Sequence, residues 1–246
     1  EGVAVVYDSR KGKPTGLVGE VVIPPDDETG DPTEQLVRTP MVVGFKSGWF
    51  RFNICIVHIL YGSSESDDPD REEEIRTIAK AMKKHAESAI ENDGRATTIL
   101  LGDFNIFNPD DVTFEAIESQ GFEIDEALQH LPTNIGKKER HYDQIAMYEW
   151  DWAPEIRDAG VLDLDTVLYT EEDEERYAER MGEMYTHNSD GEPRPEEGAY
   201  DGTWYYKTHW RTRRLSDHLP MWVEFRIDRS AEWLRTKVSD GDSTES

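Results

Sequence analysis

One cysteine stands in 246 residues, Cys55 within FNICIVHI. An intramolecular disulfide is therefore excluded, and the apolar neighbours mark Cys55 as a small buried side chain. No apolar run approaches the roughly 20 residues that a bilayer-crossing helix needs, so no membrane span is expected. The opening EGVAVVYD carries no signal-peptide pattern and already alternates like a strand, as if it began within a domain. A cytoplasmic location is the expectation. Bases are scarce beside acids: 27 Lys and Arg against 53 Asp and Glu, a formal charge of −26. Such a surface repels polyanions at long range. It disfavours a chain that coats duplex nucleic acid through many Lys and Arg contacts. It also fits the acid-rich surfaces of salty cytoplasm, where the Debye length shrinks to about 3 Å.

What is present comes in dense apolar blocks separated by polar segments, enough for one large domain or two small ones. VAVVYD (3–8) and GLVGEVVIP (16–24) read as strands joined by a basic turn, with an acidic loop at 24–35. TPMVVGF (39–45) and WFRFNICIVHILYG (49–62) read as two more. The second is apolar on both faces, as in a strand covered on both sides. Between 67 and 93, Ile75, Ile78, Ala79, Met82, Ala86, Ala89 and Ile90 recur at helical spacing. TTILL (97–101) is a short buried strand, and DDVTFEAIESQGF a short helix capped by Asp110 or Asp111. YDQIAMY (142–148) begins another strand, and VLDLDTVLY (161–169) is ambiguous between strand and loop. EEDEERYAERMGEMY favours a charged helix with a solvated face, and 187–202 is loop-like. PMWVEFRID (220–228) alternates, with Met221, Val223, Phe225 and Ile227 inward. Strands adjacent in sequence favour stacked sheets with helices outside. The tail SDGDSTES reads as disordered.

Polar residues fall at equivalent places on these strands. His58 lies near the end of one buried strand, and Asp103 and Asn105 lie just past the end of another. Asp143 opens a third, and Asp217 and His218 precede a fourth. If the last two run antiparallel to the first two, all of these groups meet at one edge. Two histidines, three carboxylates and an amide there suit metal-assisted attack of water on a phosphate. Carboxylate and amide oxygens are the hard ligands that Mg²⁺ or Mn²⁺ prefers, and histidines hold phosphate oxygens and move protons. Each residue also has a plainer reading. His58 suits a satisfied core histidine, and Asp103, Asn105 and Asp143 suit turns. A Ser-His-Asp triad from Ser216, Asp217 and His218 is excluded, because neighbours along a chain cannot line up nucleophile, base and orienter.

VHILYG, LLGDFNIF, YDQIAMY and SDHLPMWVEF follow one another in the order seen in the endonuclease/exonuclease/phosphatase superfamily, and over most of its length the chain resembles those proteins. The resemblance implies an α/β fold of deoxyribonuclease-I type. That is a four-layered sandwich of two packed mixed sheets flanked by helices, spanning 1–230 with an acidic insert at about 171–203 and a C-terminal extension at 231–246. It implies a phosphoester hydrolase, with nucleic acid among the candidate substrates, Mg²⁺ or Mn²⁺ as cofactor, and a monomer. His58 and His218 would bracket the scissile phosphate, with Asp143 orienting His218 and Glu1 paired with His58. Asp103 would position or deprotonate the attacking water. Asn105 would hold a phosphate oxygen or, with Asp103 and Asp217, the metal. Arg38 in RTPMVVGF would face the substrate.

The superfamily's opening strands, one bearing an Asn and one the main metal-binding Glu, have no counterpart here, so the chain reads as N-terminally incomplete. The alternative is therefore a catalytically impaired scaffold that binds a partner. Bases gather beside the expected site: Lys137, Lys138 and Arg140 before Asp143, and Lys207, Arg211, Arg213 and Arg214 before Asp217. They suit either an anionic substrate or local salt bridges.

Overall fold

A computed structural model describes residues 2–25, 29–91, 96–135, 139–148, 154–196, 201–232 and 234–235, without the side chains of 90 and 91. Glu1, Lys137, Lys138 and the tail beyond 235 lie outside the described residues, and so do the readings placed on them. The chain divides into two compact units. The first takes residues up to Leu131, His141–Gly160 and the chain from Val223 on; the second takes Pro132–Arg140 and Val161–Trp222.

The first unit is built on a mixed sheet. Strands β1 (Lys13–Glu20), β2 (Met41–Ser47) and β3 (Phe50–His58) form an antiparallel meander. Gly48, at φ 57, takes the left-handed conformation in the tight turn between β2 and β3. Helix α1 (Pro69–Glu91) then crosses over to β4 (Thr97–Asp103), which runs parallel to β3. A parallel neighbour requires such a crossover. Helix α2 (Val112–Glu118), strand β5 (Glu123–Ile124) and helix α3 (Glu126–Gln129) lead to β6 (Asp143–Tyr148). β6 pairs antiparallel with both β4 and β5 and completes six strands in the order β1-β2-β3-β4-β6-β5.

Helix α1 buries Ile75, Ile78, Ala79, Met82 and Ala86, the one-sided stripe its spacing predicts, and packs on β4 and α2. On β3 this leaves Asn53, Cys55 and Val57 buried, while Phe52, Ile54 and Ile56 are half-buried. The even covering expected of both faces is thus reached on one. On the other, Phe50 meets Phe225 at 5.6 Å between ring centroids. Phe225 belongs to a second, two-stranded sheet of β7 (Glu155–Val161) and β8 (Met221–Arg226). There Arg157 meets Glu224 and Arg226 meets Glu155 at 3.2 and 3.1 Å, a crossed pattern that marks the two strands as antiparallel. β8 alternates as read, with Met221, Val223 and Phe225 half-buried and the residues between them exposed.

Several local readings change. Residues 3–8 form no strand: they have no ladder partner, and Val6 is 96% exposed. Alternation alone cannot hold a strand without a neighbour. The first strand instead begins upstream of the expected 16–24, at Lys13. Its register shifts between Pro14 and Val18, around Gly16 at φ 99, the irregularity expected of an edge strand carrying Pro. Asp111 is the N-cap of α2, yet its carboxylate accepts from the Asn108 backbone rather than from the helix. β7 was not legible as a strand. The ambiguous 161–169 stretch holds the end of β7 and a 3-10 turn, Leu164–Thr166.

The second unit is helical: α4 (Glu174–Met181), α5 (Glu183–Thr186), α6 (Gly202–Tyr205), a π-helical stretch (Tyr206–Trp210) and α7 (Arg211–Arg214). Met181, Tyr206 and Trp210 are buried together, with Tyr169, Tyr177, Tyr185 and Tyr205 packed around them. The charged run from 171 therefore has an apolar inner face as well as a solvated one. Among the described residues no helix is long and apolar enough to cross a membrane.

Candidate active site

The ladder of the first unit sets three polar residues in one row. His58 is the register partner of Asp103 across the parallel β3–β4 pair, and Asp103 is the partner of Asp143 across the antiparallel β4–β6 pair. The pairing continues past the strand ends, with the Ile59 N–H donating to the Asp103 carbonyl at 2.8 Å and Phe104 N–H to Tyr142 at 2.7 Å. β6 thus runs as the sequence reading required. His58 Nε2 lies 3.5 Å from Asp103 Oδ2, with side chains 35% and 19% exposed. The pair is held by the fold yet open to a solute.

Each residue of GDFN has a mechanical reason. Gly102, at φ 138, lies so close to β3 that any Cβ would collide with the Val57 carbonyl. Asp103 Oδ1 accepts the Asn105 N–H at 2.9 Å, an Asx turn that reverses the chain. Phe104 is fully buried and anchors the turn. Asn105 takes φ 53, a left-handed conformation that asparagine tolerates better than most residues. Its Nδ2 donates to the Ile59 carbonyl at 2.8 Å, which fixes the amide plane and leaves Oδ1 as the acceptor end. Arg38 joins them: its Nη1 donates to the His58 and Ile59 carbonyls at 3.4 and 3.2 Å.

Two residues on the buried stripe of α1, Arg71 and Glu74, and Asp68 just ahead of it, all missed in the sequence, hold these loops. Asp68 accepts the Arg71 N–H at 3.0 Å and starts the helix ahead of Pro69. It also accepts Ser63 N–H at 2.8 Å. The N–H of Arg71 and then that of Ser63 hold its carboxyl down at about 2. Arg71 is 0% exposed; it donates to the carbonyls of Asn105 at 2.8 Å, Ser66 at 3.2 Å and Glu65, and covers the Phe107 ring at 4.4 Å. Burial works against its charge, and the carbonyls offset that cost. Glu74, also buried, accepts Val37 N–H on one oxygen and Leu60 N–H on the other, both at 2.7 Å. It pins the chain beside Arg38 and just beyond His58. A motif spacing could have found both, since 71, 74, 75 and 78 fall on one helical face.

Asp217 and His218 belong to the second unit. The Ile135 N–H donates to the Asp217 carbonyl at 2.9 Å and Leu219 N–H to Thr133 at 2.6 Å. An antiparallel bridge joins Asn134 to His218. Residues 133–135 thus act as a short partner strand for the SDHL loop. The basic rim divides. Lys207 pairs with Glu171 and Arg211 with Asp165, both at 2.7 Å, as local salt bridges. Arg214 lies 5.4 Å over the Trp210 ring. Burial pushes the Cys55 thiol up to about 12, which makes it an inert core residue.

Among the described residues no three His, Cys, Asp or Glu side chains gather to hold a metal ion. Within the first unit the Asp103 carboxylate and Asn105 Oδ1 lie on one turn, joined by the Asp103 Oδ1–Asn105 N–H bond. Two such donors fit a Mg²⁺ ion that keeps most of its water and takes further ligands from a phosphate.

No protein-family model matches this chain, and no curated protein matches it. Solved structures do. The human Nocturnin catalytic domain with bound sulfate is 15% identical at a TM-score of 0.42, over 63% of this chain and 54% of that one. D. rerio TDP2 complexed with single strand DNA product is 13% identical at 0.48, over 88% and 69%. This chain therefore spans about half the length of the first and two thirds of the second. An endonuclease/exonuclease/phosphatase from Bacteroides vulgatus is 12% identical at 0.48, over 90% and 69%.

Proposed function

We propose that the chain is a phosphoester hydrolase in which water attacks phosphorus in line. The observation that supports this reading is the His58–Asp103–Asp143 row on three adjacent strands, with Arg38 and Asn105 fixed around it. Asp103 takes the proton of the attacking water. The water oxygen forms the new bond to phosphorus, and the ester oxygen leaves. His58 neutralises a non-bridging oxygen, and Arg38 adds positive charge beside it. The resemblance assigns His218, oriented by Asp143, and Asp217 to the same reaction. Asp103, Asn105 and Asp217 would hold Mg²⁺ or Mn²⁺, which supplies charge neutralisation on the phosphate. In this reading the chain acts in the cytoplasm as a monomer, on nucleic acid or a smaller phosphate ester.

The test is hydrolysis of plasmid DNA and of p-nitrophenyl phosphodiesters with Mg²⁺, with and without EDTA. His58→Ala and His218→Ala should each lose at least about 100-fold, the lower range for general acid–base groups. Hydrolysis that survives both substitutions sinks the assignment. A second reading, a scaffold that binds a partner and turns over poorly, is favoured by the want of three gathered His, Cys, Asp or Glu side chains among the described residues. Calorimetric titration with Mn²⁺ separates the two: tight uptake that Asp103→Asn abolishes supports the enzyme, and no uptake supports the scaffold.

A further inference from the structure

Within the first unit, the hairpin between β2 and β3 is left unused by the proposed chemistry. Ser47 and Phe50 are register partners, so Gly48 and Trp49 form a two-residue turn, and the positive φ of Gly48 suits its first position. Trp49 stands at the tip, 89% exposed. Among the described residues its ring packs on no other ring and its N–H has no partner. It precedes His58 by nine residues along β3, about 30 Å for an extended chain, so it lies at the far end of the sheet from the His58–Asp103–Asp143 row. A single exposed apolar side chain is ordinary; the surroundings of this one are not.

They are basic, in a chain of formal charge −26. Lys13 on β1 is the register partner of Lys46 on β2, and Lys46 is that of Arg51 on β3. Register partners point to one face of a sheet, so three exposed bases stand in a row across three strands, about 5 Å from strand to strand. Ser47 Oγ donates to the Lys11 carbonyl at 2.8 Å and draws a fourth base to the same corner. Among the described residues none of these four forms a salt bridge, whereas Arg10 beside them is neutralised by Asp8 at 2.8 Å. Like charges directly opposite one another destabilise a sheet, and here two such pairs adjoin with no acid between them. A bound anion would relieve that repulsion. The Debye length in a cell is about 8 Å, so the row sets the local field and distant acids are screened.

We propose that this hairpin binds single-stranded nucleic acid, with one base stacked on Trp49 and the adjoining phosphates on Lys13, Lys46 and Arg51. The proposal goes beyond the hydrolase reading and does not depend on it. An aromatic platform beside a basic track is the arrangement that takes single strands without regard to sequence. A duplex keeps its bases stacked inside, offers Trp49 no face, and needs many more bases than stand here. A bilayer anchor needs more buried apolar area than one ring supplies, whereas one ring serves one base.

The test is the fluorescence anisotropy of a short fluorescein-labelled oligothymidylate titrated with the full chain, in EDTA so that metal-dependent cleavage is blocked. The slope of log Kd against log salt should be about 2.8, four contacts at roughly 0.7 each. Trp49→Ala should raise Kd about tenfold, the loss of one stacked base, and Trp49→Phe, which keeps an aromatic face, should hold most of the affinity. Lys46→Gln with Arg51→Gln should lower the slope by about 1.4, while Lys80→Gln, an exposed base on α1, changes neither value. Trp49 is exposed, so thermal melts of its variants should match the parent. An oligonucleotide that the parent does not bind at low salt, or binding that Trp49→Ala leaves intact, overturns the proposal. Trp49-dependent cosedimentation with phosphatidylserine vesicles, or Trp49-dependent self-association, in a chain that ignores the oligonucleotide also overturns it. Trp49-dependent binding in a chain that hydrolyses no phosphodiester keeps the hairpin site and sinks the hydrolase reading alone.

Discussion

Glu74→Gln tests whether the site is held from behind. In the native chain each oxygen of Glu74 accepts one backbone N–H, Val37 and Leu60, at 2.7 Å. The amide keeps one acceptor and turns an NH₂ group on the other N–H, so one bond becomes a donor facing a donor. A hydrogen bond to a charged group contributes roughly 1.5–3 kcal/mol, and the remaining bond also weakens once the charge is gone. The expected loss is about 2–3 kcal/mol. For a domain of this size that lowers Tm by about 2–4 °C per kcal/mol, so by roughly 5–10 °C. Leu60 is two residues past His58 and Val37 is next to Arg38, so both groups drift. A displacement of 1 Å at reacting groups costs on the order of 100-fold in rate. Calorimetry and phosphodiester hydrolysis read the two effects. A variant that melts within about 1 °C of the parent and hydrolyses at the parental rate would show that the carboxylate holds nothing that matters.

Two further outcomes follow from the same geometry. Gly102→Ala adds a Cβ against the Val57 carbonyl at a φ of 138 and should cost about 3 kcal/mol or more, seen as a large fall in Tm; an unchanged Tm refutes the close approach. Asp68 has its carboxyl lowered to about 2 by the Arg71 and Ser63 N–H groups. A depressed carboxylate stabilises the fold above its unfolded pKa of about 3.9, and that gain fades as pH falls toward 2. The stability gap between the parent and Asp68→Asn should therefore be full at pH 6 and shrink between about pH 4 and pH 2. A gap that stays constant over that range contradicts the assignment.

The central strands were legible because β3, β4 and β6 are apolar blocks ending in polar residues, and the end of such a block is where a strand meets solvent. β7 was not, because EIRDAGV puts Glu155 and Arg157 on a strand whose partner, β8, answers with Arg226 and Glu224. Its stability lies in cross-strand pairing, which a single segment does not display. Arg71 and Glu74 were hidden in REEE, which reads as a solvated first turn. Only their alignment with Ile75 and Ile78 betrays that they are buried, and a buried charge is recognised by partners that come from distant loops. The aromatic core of the second unit was masked in the same way: Tyr177, Met181 and Tyr185 recur every fourth residue, but the acids between them dominate the composition.

The lateral alignment of His58 with Asp103 comes from a hydrogen-bonded ladder and owes nothing to the length of chain that joins them. The exposed outer face of the crossover helix can change its residues while those two groups stay opposite each other, provided that Asp68, Arg71 and Glu74 keep their bonds to the loops. Chemistry and variability are thereby assigned to different faces of one helix, and the outer face is free to be reshaped toward new molecules without disturbing the pair.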